Sequence, residues 1–177
     1  MSRLIPVALG VLLLVALAPA EDKKETDTNF ANYKPLAEAI AKADKVVLFE
    51  GLPHPAHEKA LLDAELKAKK TISDHGFAFY AEPLELKPAD AKTLIALFSD
   101  PESFRQWRGY KKCGGFHPDY MVEYHVGQDV YRMQVCFGCS EVKVFGPKLE
   151  LYCDMAKEPF AKVLRTYQKN RPKGDGK

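Results

Sequence analysis

Residues 119–154 read DYMVEYHVGQDVYRMQVCFGCSEVKVFGPKLELYCD, and their alternation decides the fold class. Tyr120, Val122, Tyr124 and Val126 alternate with Asp119, Met121, Glu123 and His125. Tyr131, Met133, Val135 and Phe137 then alternate with Arg132, Gln134 and Cys136. Apolar side chains at every second position put one face of a strand in a core. Gly127-Gln128 fits a two-residue hairpin loop, its leading glycine suiting a II′ turn. Pairing Val126 with Asp129 sets Tyr124 against Tyr131, Val122 against Met133, and Glu123 against Arg132 as opposite charges. A slip of one residue would set Tyr124 against Arg132, so the first register is the one expected. A second hairpin follows, with Val142 and Val144 facing Leu151 and Cys153 across a turn near Gly146-Pro147-Lys148. Four consecutive antiparallel C-terminal strands and about five helices predict a single α+β domain, with helices packed on one face of the sheet.

Working outward, Leu36, Ile40 and Ala43 recur at helical spacing behind Pro35. Val46 to Phe49 reads as a buried strand, and Gly51-Leu-Pro-His-Pro55 as a loop. Leu62 and Leu66 suggest a helix within 56–70, and Phe77, Phe79, Leu84 and Leu86 mark strand-like segments. Pro88 opens a helix carrying Leu94, Leu97 and Phe98. Ser99-Asp-Pro-Glu102 has capping-box spacing and predicts a further short helix ending at Gly109. Phe160, Val163, Leu164 and Tyr167 form the stripe of a core-facing helix. Residues 21–29 read as a polar leader, 30–170 as the domain, and Arg171 to Lys177 as a loose basic tail.

The first twenty residues read as an address. Arg3 is the only charge before Glu21, Leu4 to Ala18 is apolar, and Ala18-Pro-Ala20 offers small residues where a signal peptidase cuts. Fifteen residues rise about 22 Å as a helix, short of a bilayer core of about 30 Å. Cleavage near Ala20 therefore predicts an extracytoplasmic protein, periplasmic or secreted, with no transmembrane span in the mature chain. The 177 residues hold 26 Lys+Arg against 24 Asp+Glu, with 46% apolar and 28% charged side chains. That balance excludes collagen-like and disordered classes, and nucleic acid is not an expected partner.

Four cysteines, Cys113, Cys136, Cys139 and Cys153, favour disulfides in an exported chain. Cys153 falls on the core face, where a small thiol needs no partner. Cys136 lies opposite Asp119 on the polar face, and Gly114-Gly115 lets Cys113 fold back, so a bridge from Cys113 to Cys136 or to Cys139 is expected. Three other chemistries compete. Cys136-Phe-Gly-Cys139 has redox-dithiol spacing but sits between strands, not at a helix N-terminus. Four thiols could hold zinc, although only one pair is closely spaced. Covalent haem attachment needs histidine where Ser140 stands.

His54-Pro-Ala-His57 puts two imidazoles three residues apart, which could share a metal or simply open a helix; the His-Glu-x-x-His zinc-protease pattern is absent. His117-Pro-Asp119 could converge with thiols as acid, base and nucleophile, or satisfy turn amides. The chain has no glycine-rich phosphate loop, G-x-S-x-G elbow or paired-carboxylate signature.

Glu50-Gly-Leu-Pro-His54, Cys113-Gly-Gly-Phe-His-Pro-Asp119 and Val135-Cys-Phe-Gly-Cys139 resemble motifs of a group of small exported bacterial proteins of uncharacterised function. The likeness spans about residues 44–155 and implies no activity. It directs attention to Glu50, His54, Cys113, His117, Asp119, Cys136 and Cys139 as one cluster. The expected function is a non-enzymatic, disulfide-stabilised binding module for a protein or envelope component, without a cofactor. The alternative is a metal- or thiol-dependent activity at that cluster, with zinc the metal to consider.

Overall fold

The computed structural model describes residues 29–171. The expected signal sequence, the expected leader up to residue 28 and the tail beyond Arg171 lie outside the described residues. After a 3-10 turn at Phe30–Asn32, the elements run α1 (Tyr33–Ile40), β1 (Lys45–Glu50), α2 (Lys59–Ala68), β2 (Thr71–Asp74), β3 (Phe77–Tyr80) and α3 (Pro88–Ser99). Then come β4 (Phe104–Gln106), β5 (Tyr120–Val126), β6 (Asp129–Cys136), β7 (Glu141–Phe145), β8 (Glu150–Met155) and α4 (Lys157–Leu164). Six strands form one antiparallel sheet in the order β1-β5-β6-β7-β8-β4, and β2 and β3 form a separate hairpin. The fold is α+β.

Both C-terminal hairpins take the register read from the sequence. Tyr124 pairs with Tyr131 and Glu123 with Arg132, whose Nε lies 2.9 Å from Glu123 Oε1. Gly127 has φ 59°, as the first central position of a II′ turn requires. Val142 pairs with Cys153 and Val144 with Leu151. The inward side chains of these strands meet Leu36 and Ile40 of α1, Leu94 and Phe98 of α3, and Phe160 and Leu164 of α4 in one apolar core. All of those helical side chains are fully buried. Cys153 belongs to this core as a free thiol.

One segment differs from the sequence reading, and two other regions show what that reading left open. The expected helix over residues 100–109 is a single 3-10 turn, Pro101–Ser103, capped by the Asp100 carboxylate on the Glu102 N–H at 3.0 Å. The chain then straightens into β4, because pairing Phe104–Gln106 with β8 satisfies backbone groups of that strand's outer edge. It also drives Phe104 under Phe160, with ring centroids 5.6 Å apart. Helix α2 forms but buries no side chain, and Leu61 and Leu66 stay exposed. The polar face of the sheet is roofed by the β2–β3 hairpin and by residues 107–118. Gln134 there is fully buried and donates to the Asp74 carbonyl at 3.0 Å and carboxylate at 2.8 Å.

Candidate functional site

The roofed face brings two loops together, and a glycine permits the contact. Gly51 donates its N–H to the Asp119 carbonyl at 2.8 Å, and a Cβ there would lie 2.0 Å from the Pro118 oxygen. Only glycine allows so close a backbone approach. Beyond it, the Pro-flanked segment turns tightly: His54 Nδ1 accepts the Ala56 N–H at 3.0 Å, and Glu58 Oε2 accepts the His54 N–H at 2.8 Å. Gly114, at φ 85°, lays the opposing loop across the two imidazoles; a Cβ there would meet His57 Nε2 at 2.6 Å. His54 stands 4.5 Å from the His57 ring and edge-on to His117 at 4.8 Å.

The opposing loop is fastened at four points. Glu141, 2% exposed, accepts from Trp107 Nε1 at 2.9 Å, Lys111 Nζ at 2.6 Å and the Tyr152 hydroxyl at 2.7 Å. Cys113 is disulfide-bonded to Cys139. Lys143 Nζ lies 4.9 Å from the Phe116 ring centroid and 5.0 Å from that of Tyr152. His117 Nε2 lies 2.8 Å from the Leu52 carbonyl oxygen. A carbonyl only accepts, so that nitrogen carries a proton. Burial, reinforced by neighbouring His54, lowers the His117 pKa to about 4. His54 is lowered too, by burial first and then by His57.

These walls enclose a cleft of about 360 Å³, lined by His54, His57, His117, Cys113, Cys136 and Asp119 among others. Glu50 lines an adjoining cavity of about 180 Å³ instead, and Cys139 sits behind the wall as the disulfide partner. Sequence candidates 60 and more residues apart therefore do meet. The residue the sequence reading missed is Arg171, assigned there to the loose tail. Its guanidinium bridges Asp119 Oδ1 at 2.6 Å and Glu58 Oε2 at 2.8 Å. Buried Glu50 holds this segment in place, accepting the N–H groups of Lys169 at 3.1 Å, Asn170 at 2.7 Å and Arg171 at 3.0 Å. Burial alone would raise the Glu58 pKa, but the His54 amide and Arg171 outweigh it and hold the carboxyl below its ordinary value.

The arrangement narrows the chemistry. Asp119 accepts from Arg171 through Oδ1 and from the Phe137 N–H through Oδ2 at 2.7 Å, so both of its oxygens are engaged. His54 Nδ1 and His117 Nε2 are occupied by backbone groups, and among the described residues no set of three or more His, Cys, Asp or Glu side chains is arranged to hold a metal. Cys136 and Cys139 are not bridged to each other. Cys136 is a buried free thiol whose Sγ accepts the Cys139 N–H at 3.3 Å. Burial pushes that thiol's pKa up, against the pull of the His117 and Cys139 amides.

Comparison with protein-family models, with curated proteins and with solved structures gives no match to this chain. The reading of the site therefore stands on its own geometry.

Proposed function

We propose that this chain is an exported binding module, and that it recognises a protein or envelope component through the cleft between residues 51–58 and 107–119. The observation that supports this most is that several of the cleft's polar groups are engaged with one another, Arg171 with Glu58 and Asp119, His117 with Leu52, Cys113 with Cys139, while the buried Nε2 of His54 is left without a hydrogen-bond partner. Such groups form a rigid, preorganised surface, which favours recognition, and they leave no activated nucleophile. The disulfide suits an oxidising compartment, and among the described residues no helix is long and apolar enough to cross a membrane.

A photo-crosslinking side chain introduced at Lys112, on the cleft rim, tests the reading against one introduced at Lys34 on α1. In an extract of the native envelope, the Lys112 position should yield one discrete adduct that disappears in Cys113→Ser/Cys139→Ser protein. Adducts that are equal from both positions, or none from Lys112, would contradict it.

A further inference from the structure

Cys136 takes no part in the engaged surface of the cleft, yet it lies beside the disulfide. Its Sγ accepts the Cys139 N–H at 3.3 Å, and a cysteine's own sulfur is only three bonds from its amide nitrogen. The Cys139 half of the crosslink is therefore next to the free thiol. Cys136 and Cys113 also line the same cleft. On the far side of the bond, Cys113 is followed by Gly114 and Gly115 at φ 85° and 94°, conformations that glycine adopts without strain.

We propose that Cys136 is an exchange partner for the Cys113–Cys139 disulfide. The Cys136 thiolate attacks Cys139 Sγ; the Cys136–Cys139 bond forms as the Cys113–Cys139 bond breaks. The electron pair leaves on Cys113 Sγ, which takes a proton from water, while the Cys136 proton goes to water. One disulfide is present before and after, so no outside oxidant or reductant enters. The consequence is mechanical as well as chemical. The loop carrying Gly114 loses its covalent tie to the sheet, and a thiol appears at the partly exposed Cys113. The exchange goes beyond the binding reading and does not depend on it.

Only the thiolate attacks, and burial keeps Cys136 protonated, with Asp119 and Glu141 facing it from the ends of neighbouring strands and adding to the effect. Exchange should therefore be slow at neutral pH and quicken about tenfold per pH unit while the thiol is mostly protonated. The test uses the full oxidised chain, incubated at pH 7, 8 and 9, quenched in acid, then unfolded and alkylated for peptide mapping. The starting map should show Cys113 linked to Cys139. With time, label should appear on Cys113 and a Cys136–Cys139 peptide should accumulate, faster at higher pH, with neither appearing in Cys136→Ser protein. As a second arm, Cys113→Ser protein made in an oxidising compartment should carry a Cys136–Cys139 link. Label that stays on Cys136 and Cys153 at every pH, label that appears on Cys139, or free Cys136 and Cys139 in the Cys113→Ser protein would each overturn the proposal.

Discussion

On one face of the six-stranded sheet, Val122, Tyr124, Met133 and Val142 are covered by three helices whose contribution is almost wholly apolar. On the other, Met121, Gln134, Cys136 and Glu141 are as well buried, but their cover is a loop and a two-stranded hairpin, whose Ile72, Phe77 and Phe79 join Phe49 and Met121 in a second, smaller apolar cluster. Beyond that small cluster, the cover is attached by directed interactions: the Gln134–Asp74 bonds, the Glu141 acceptor site, the Lys143 ammonium over two rings, and one disulfide. Apolar burial is non-directional and tolerates small shifts, whereas directed bonds hold side chains at fixed geometry. The helical face supplies the stability on which the other face can hold a shaped cleft.

The comparison can be broken in several places. The largest effect belongs to the helical face: Phe160→Ala leaves a cavity among Phe104 and the α4 contacts and should cost about 3–5 kcal/mol, read from urea unfolding. A loss under about 1 kcal/mol would mean that this face is not the main source of stability. Next is the crosslink. A sequence separation of 26 residues predicts that Cys139→Ser loses about 3.5 kcal/mol in the chain-entropy account. Cys136→Ala should lose clearly less, and equal losses would remove the distinction between the two cysteines.

The third test is pH. Between its ordinary value of 6.5 and about 4, the unfolded chain takes up a proton that folded His117 refuses. Stability should therefore fall as pH is lowered through that window, by at most about 1.4 kcal/mol per pH unit from this group. His54, also lowered, acts with the same sign. Urea midpoints followed from pH 7 to 4 should show a shallower slope in His117→Asn protein, and identical slopes would contradict a neutral buried imidazole. The smallest effect is expected on α2, where Leu66→Ala should change stability by no more than about 0.5 kcal/mol, since Leu66 is 45% exposed. A large loss would show that α2 packs against something in solution.

Much of the sheet was legible because a strand's side-chain period is two. Once Glu123 opposed Arg132 and Gly127 led the turn, every pair in that hairpin followed, and the same logic set Val142 against Cys153. Alternation states which residues share a face, but not whether that face meets water, so the cover over Gln134 was hidden. Segment β4 was illegible for a related reason: three residues carry no period, and only the free edge of β8 makes them a strand. In the site, the motifs drew attention to His54, His117 and Asp119. Arg171 escaped because nothing local distinguishes it from its basic neighbours, and its meaning comes from Asp119 and Glu58, 52 and 113 residues away. Spacing could not choose between Cys136 and Cys139 for Cys113. The tertiary arrangement does, since Cys136 ends β6 beneath the His117 and Cys139 amides, while Cys139 lies past the turn and within reach of Cys113.

The most direct test of the whole account is a non-reducing peptide map of the freshly purified protein, made in an oxidising compartment, acid-quenched and alkylated after unfolding. The account predicts a Cys113–Cys139 peptide pair, with label on Cys136 and Cys153 alone. Label on all four cysteines would contradict it, because the loop that walls the cleft would then have no covalent hold on the sheet.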